Sequence, residues 1–170
     1  KELMPILNSA PLCHVTMHPR LGIEQYKKDV DIDAFAEFFE ACKHPVIYNG
    51  DLNSLADIER IEQQFPTLKG VMLGRGLLAN PALGFEYKRG GVLAYDEMRG
   101  LVKNMHDTML RELTPRLQGN TQFLTKMKPY WEYLLPTLPK RLRKAILKAT
   151  TIEKYQAAVA SALAEPAISF

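Results

Sequence analysis

Cysteine is nearly absent. Only Cys13 and Cys42 occur in 170 residues, and neither falls in a metal-binding or disulfide spacing. That excludes a disulfide-stapled scaffold and a cysteine-based metal centre. Both cysteines have apolar sequence neighbours, so each is expected to be a buried free thiol in a reducing, cytosolic compartment. No apolar run approaches the roughly 20 residues that cross a bilayer, so no membrane partner is expected. The opening KELMPILNSAP lacks the apolar centre of a signal peptide. The chain does not begin with Met and reads at its start like the end of a helix, so it is expected to be cut from a longer protein. Low-complexity tracts are also missing. With 46% hydrophobic and 24% charged residues, the composition is that of an ordinary globular protein.

Acidic charge is scarce in one region. From Arg111 to Lys148 there are nine basic residues against Glu112 and Glu132, a local net charge of +7 in a chain whose total is +3. Tyr130, Trp131 and Tyr133 are interleaved with them. Such a stretch neutralises phosphates and offers rings for stacking on bases. A solvated helix face and a core tryptophan account for the same pattern, and no zinc-finger, RNA-recognition or helix-turn-helix signature is present.

The first half repeats one unit: apolar strand, polar strand end, helix. HVTMHPR (14–20) leads to a helix over 31–43, with Phe35, Phe38, Phe39 and Cys42 at helical spacing. Either Asp31 or Asp33 is placed to cap it. PVIYNGD (45–51) leads to a helix over 54–65, capped by Asn53 or Ser54, with Leu55, Ile58, Ile61 and Phe65 on one face. GVMLGRG (70–76) leads to a short helix interrupted near Pro81. KRGG (88–91) reads as a hinge, and beyond it only helices are expected: 95–113, a loop over 114–121, 122–138 broken at Pro129, 139–149, and a last helix opened by a Thr150–Glu153 capping box.

Strands joined by single helices run parallel and share one carboxyl edge. That edge collects His18, Arg20, Asn49, Gly50, Asp51, Gly74, Arg75 and Gly76. Ligands of open α/β sheets and of eight-stranded barrels bind at such an edge. Gly74-Arg75-Gly76 lets backbone N–H groups approach a phosphate, with a helix start behind it and a guanidinium beside it. Alone it serves a tight turn equally well, as does Asn49-Gly50-Asp51. One βα unit apart, the two strand ends supply what a barrel phosphate site requires. His18 can donate to a cofactor ring or to developing negative charge, though a structural histidine gives the same signal. His14 is expected to be structural, and His44 and His106 to lie at the surface or at helix ends.

VTMHPR, QYK (25–27), HPVIYNGD and VMLGRGLLANP together resemble, in order and spacing, the carboxyl-terminal half of bacterial tRNA-dihydrouridine synthases. The likeness is close over residues 1–85 and looser beyond. It implies an α/β plus α architecture: about three βα units of a (β/α)8 TIM barrel that binds FMN (1–90), then a helical tRNA-binding domain (91–170). The implied reaction is reduction of the uracil C5–C6 bond in tRNA, with NADPH recharging the flavin. The resemblance implies that Asn49, Gly50 and Asp51 lie beside the FMN ribityl-phosphate, that Gly74 and Arg75 clasp the phosphate, that His18 bonds near the flavin ring, and that Arg20 supports its strand end. Lys126, Lys128, Arg141, Arg143 and Lys144 are the residues expected to meet tRNA phosphates. No metal site is implied. Pro19 stands where a small residue is expected. The family's first five strands, its catalytic cysteine and a flavin-contacting lysine have no counterpart here. The chain alone is therefore expected to be inactive, and its open sheet edge to pair with the missing barrel half or with another copy. Two other readings fit the same residues: a non-catalytic RNA-binding module, and another FMN or sugar-phosphate barrel enzyme.

Overall fold

The computed structural model describes residues 3–24 and 27–166. Gln25 and Tyr26 of the QYK motif lie outside the described residues. The chain divides into two compact units, Lys1–Gly76 and Leu77–Phe170.

The first unit opens with helix α1 (Met4–Ser9), whose Asn8 side chain donates to Ala41 O and accepts from Lys43 N, each at 2.9 Å. Strand β1 (Val15–Met17) follows, then a short 3-10 turn at Gly22–Glu24 and helix α2 (Ile32–Ala41). Asp31 is the cap: its Oδ1 accepts from Ala34 N at 2.9 Å. Strand β2 (Val46–Tyr48) leads to helix α3 (Leu55–Gln64). Ser54 caps α3, its hydroxyl oxygen accepting from Asp57 N at 3.2 Å while Asp57 Oδ2 accepts from Ser54 N at 3.0 Å. Strand β3 (Gly70–Val71) completes a parallel sheet in the order β1-β2-β3. Val15 lies beside Val46 and Met17 beside Tyr48, while Ile47 lies beside Gly70 and Tyr48 beside Val71. This register brings the three carboxyl ends level.

The core of this unit is aromatic. Phe35, Val46, Tyr48, Leu52, Ile58, Ile61 and Phe65 are buried. Phe35 meets Tyr48 edge-on at 4.8 Å and Phe65 at 4.9 Å between ring centroids. Such contacts add about 0.5–1.5 kcal/mol each beyond the area they bury. They fix α2 and α3 against the sheet, and so fix the strand ends from which the candidate site is built.

Helix α4 (Arg75–Ala79) begins at the last strand end, followed by α5 (Leu83–Arg89). Gly90, at φ 75°, ends α5 in the left-handed region that glycine adopts without strain. The two compact units part at Gly76, whereas the sequence pattern sets the hinge at 88–91. The reason is Glu86, which is buried and accepts from Asn80 Nδ2 at 2.7 Å and from Leu93 N at 2.8 Å. That carboxylate ties the segments on both sides of the glycines into the helical unit.

The helical unit continues with α6 (Tyr95–Leu113), a 3-10 turn at Thr114–Arg116, α7 (Gly119–Met127), α8 (Tyr130–Tyr133), α9 (Lys140–Lys148) and α10 (Ile152–Leu163). The loop expected over 114–121 is shorter, because Gln122 Oε1 accepts from Gln118 N at 2.9 Å and starts α7 early. The last helix is capped by Thr151, not Thr150: its Oγ1 accepts from Lys154 N at 3.3 Å. Met98, Val102, Phe123, Met127, Trp131, Ile146, Tyr155 and Val159 form the core.

The expectations for the two cysteines and for His106 are corrected here. Cys13 is exposed and Cys42 half-buried. Cys13 follows Leu12, itself 39% exposed, so apolar neighbours in sequence did not amount to burial. His106 is buried on the inner face of α6, with Nε2 3.1 Å from Tyr155 Oη. His14 is exposed.

Candidate functional site

All three strand ends contribute polar groups to the same cavity. The cavity is about 120 Å³ and is lined by His18 from the end of β1, Asn49, Gly50 and Asp51 from the end of β2, and Gly74 and Arg75 from the start of α4. Leu52, Asn53, Met72 and Gly76 complete the wall.

His18 donates through Nδ1 to Asn49 O at 2.6 Å. A carbonyl only accepts, so in neutral His18 the proton sits on Nδ1 and Nε2 is the acceptor. Arg20 Nη1 faces that Nε2 at 3.5 Å. The ring is thus oriented by one strand end and approached by a cation from the other side. Asn49 Nδ2 donates to Met72 O at 3.2 Å, tying the ends of β2 and β3 together.

Asp51 is the hub. Its Oδ2 accepts from Arg20 Nη2 at 2.5 Å, and its Oδ1 from Arg75 Nη2 at 2.7 Å. Burial on its own raises the Asp51 carboxyl, but the hydrogen bonds and charges of Arg20 and Arg75 outweigh it and hold the group below the ordinary carboxylate range. Its backbone adopts φ 44°, a left-handed conformation that Asp and Asn tolerate better than most residues. The Arg20 side chain is only 3% exposed and also donates through Nε to Lys28 O at 2.9 Å. Arg20 is therefore a buried support rather than a group that faces a ligand. Arg75 is 38% exposed and is the cation that faces the cavity.

The two glycine positions differ. A Cβ on Gly50 would lie 2.8 Å from Val30 Cγ1 and 2.9 Å from Tyr48 Oη. Packing behind the strand end therefore demands glycine at 50. A Cβ on Gly74 would meet nothing within 4 Å, so the space above it is open. Tyr48, which sequence reasoning treated only as a strand residue, closes the floor under Gly50. Burial pushes its hydroxyl up to about 12. Its β-strand alternation with Val46 was the available signal.

The basic residues of the helical unit do not act as one set. Lys126 and Lys144 are exposed, and Lys128 is half-buried beside a groove of about 510 Å³ that Thr121, Glu132 and Leu147 also line. Arg141 lies 3.3 Å from Glu165 and is 77% exposed. Arg143 is different: its guanidinium donates to the carbonyls of Trp131 (2.5 Å), Glu132 (3.3 Å), Leu134 (3.2 Å) and Leu135 (2.5 Å). Those bonds close the end of α8. Tyr130 and Tyr133 are 41% and 43% exposed, while Trp131 is core, its Nε1 donating to Tyr155 Oη at 2.9 Å. Among the described residues no group of histidine, cysteine and acidic side chains is arranged to hold a metal ion, and no helix is long and apolar enough to cross a membrane.

Residues 2–166 match the family model described as Dihydrouridine synthase (Dus). The chain is 39% identical over 74 residues to a tRNA-dihydrouridine(20a/20b) synthase-like protein of Mus musculus, covering 44% of this chain and 22% of that protein. It is 34% identical over 82 residues to a probable tRNA-dihydrouridine synthase of Helicobacter pylori, covering 48% of this chain and 25% of that protein. A tRNA-dihydrouridine(20a/20b) synthase of Saccharomyces cerevisiae is 38% identical over 85 residues, covering 48% of this chain and 23% of that protein. The aligned stretches thus span about a quarter of each relative's length.

Proposed function

Because the chain belongs to the dihydrouridine synthase family, we propose that its cavity at the strand ends is the phosphate end of an FMN site, in a protein that reduces uridine to dihydrouridine in tRNA. The observation that carries this reading is the convergence of Gly50, Gly74 and the half-exposed Arg75 on one cavity. The residues present fit a phosphate: a guanidinium faces the cavity, and the space over Gly74 is open. The volume, about 120 Å³, suits that group and not a whole flavin, since complete small-molecule sites run to roughly 300–1,000 Å³.

When bound, FMN supplies the hydride for the uracil C5–C6 bond. The side chains at the strand ends do the holding. Arg75 meets the phosphate charge. Asn49 ties two strand ends into one rim. His18 is kept by Asn49 O in a fixed orientation at the rim. Relatives whose names include NAD(P)+ support a nicotinamide reductant such as NADPH. Residues 1–90 belong on this reading to the carboxyl-terminal part of a TIM-type barrel, and the three parallel strands support that assignment. Residues 91–170 form the tRNA-binding domain, with Lys126, Lys128, Arg141 and Lys144 toward phosphates and Arg143 holding the frame beneath them. The catalytic cysteine is expected in barrel strands outside this segment, so the 170 residues alone do not turn over.

Flavin fluorescence titration tests the cofactor reading. FMN is expected to bind more tightly than riboflavin, and Arg75→Gln to erase the difference; equal affinities for the two flavins would refute it. Filter binding of tRNA tests the helical unit. Affinity is expected to fall steeply with salt and to weaken on charge reversal at Lys126 and Lys144; binding indifferent to both would remove the tRNA assignment.

A further inference from the structure

We propose that Asp51 is the positioning residue of the anion site: its carboxylate holds the Arg75 guanidinium toward the cavity, and Arg75 grips an anion well only while that bridge is in place. The inference rests on reading the cavity as a phosphate site and adds a role that a negatively charged residue there would not otherwise have. A carboxylate beside a phosphate is, by Coulomb's law alone, a liability. The geometry explains its presence.

Asp51 is itself held from behind. Arg20 is 3% exposed and pinned to Lys28 O at 2.9 Å, and its Nη2 fixes Asp51 Oδ2 at 2.5 Å. The other oxygen, Oδ1, accepts from Arg75 Nη2 at 2.7 Å and, at a longer 3.4 Å, from Arg20 Nη1. The buried guanidinium therefore holds both carboxylate oxygens from behind, and Oδ1 joins it to the guanidinium that faces the cavity. Arginine is a long, rotamer-rich side chain whose ordering opposes binding. A bridge that orders it before the anion arrives removes that cost. The same bridge trims the local charge, since Arg20, Asp51 and Arg75 together carry +1 rather than +2.

The two accounts of Asp51 predict opposite signs. If it is only a nearby negative charge, Asp51→Asn tightens anion binding. If it positions Arg75, Asp51→Asn weakens it, by about tenfold for the loss of one charge-assisted hydrogen bond. Asn is the suitable replacement because it keeps the shape and tolerates the left-handed backbone at φ 44°. Calorimetric titration of the chain with inorganic phosphate and with FMN reads the sign. A double-mutant cycle with Arg75→Gln then shows whether the effect passes through Arg75: on top of Arg75→Gln, Asp51→Asn is expected to leave affinity unchanged or tighten it. Asp51→Glu, which keeps the charge, is expected to recover part of the affinity and serves if Asp51→Asn fails to fold. Unchanged or tighter binding by Asp51→Asn, or equal weakening with and without Arg75→Gln, overturns the positioning role while leaving the phosphate site in place. A parent chain that binds neither phosphate nor FMN removes the site and this inference with it.

Discussion

Replacing Arg143 by lysine separates two roles that an arginine on a basic helix can have. Lysine keeps the positive charge but loses the planar fork of donors. Arg143 reaches four carbonyls, two of them at 2.5 Å, and the last belongs to Leu135, whose backbone sits at φ 52°. A leucine in the left-handed region costs on the order of 1–2 kcal/mol, and the Arg143 bonds help to hold it there. A lysine ammonium is a compact point charge unable to span the same carbonyl set. Hydrogen bonds to a charged group are each worth about 1.5–3 kcal/mol, but this guanidinium is only partly buried and water would satisfy some of the released carbonyls. A net loss of about 2 kcal/mol is expected for Arg143→Lys. Thermal melting followed by circular dichroism should then show Tm lower by roughly 8–16 °C if the helical unit melts on its own, and about 4–8 °C if the chain melts as one. Lys144→Met, at an exposed position on the same helix, is expected to shift Tm by a degree or two at most. Should Arg143→Lys melt with the parent chain, Arg143 is a surface charge and the clamp account fails.

Three further outcomes follow from particular contacts. Tyr155→Phe leaves the Trp131 Nε1–H buried without its 2.9 Å acceptor and should cost about 1–3 kcal/mol in urea unfolding; a change under about 0.5 kcal/mol would contradict it. Gly50→Ala places a methyl 2.8 Å from Val30 and 2.9 Å from Tyr48 and should destabilise by roughly 1–3 kcal/mol through overpacking, visible as a lower urea midpoint at unchanged slope. Burial lowers the His106 pKa below its ordinary 6.5, although Asp107 opposes the shift, so the unfolded chain takes up a proton first as pH falls. The stability from neutral His106 is therefore complete above about 6.5 and is lost as pH falls toward the folded value. His106→Gln should flatten urea midpoints between about pH 7.5 and 5.5 relative to the parent; parallel pH profiles would rule out His106 as the cause.

The parts of this molecule legible in its sequence are those set by periodicity and chain order. Parallel strands follow from alternating strands and helices, and parallel strands bring His18, Asn49, Gly50, Asp51, Gly74 and Arg75 to one edge. That edge is where the cavity lies. What the sequence did not separate is the work of like side chains once there. Arg20, Arg75, Arg141 and Arg143 are one residue type, yet their guanidinium groups anchor a half-buried carboxylate from behind, face a cavity, reach from solvent to a half-buried acid and clamp four carbonyls. Partners that distant in sequence leave no periodic trace. His106 is the opposite case. Met98, Val102 and His106 are spaced four apart and lie on one buried face of α6, so helical geometry alone assigned the histidine to the core. Its polarity alone points to the surface or a helix end; its position on α6 points inward.

Polar residues repay the same spacing test as apolar ones, and in this chain the test has a functional edge. Asp51 and Arg75 stand 24 residues apart, one βα unit, which is the separation at which neighbouring parallel strands bring their ends together. Spacing alone therefore makes an acid at one strand end and a base at the next candidates for a bridge. A bridge of this kind prearranges charge at the rim without covering it: Asp51 holds the guanidinium, Arg75 keeps more than a third of its side chain exposed, and the space above Gly74 is open. An edge that must take up and hold an anion needs that division between a buried anchor, a bridging carboxylate and an exposed cation. An edge that serves only packing has no use for an arginine kept facing water.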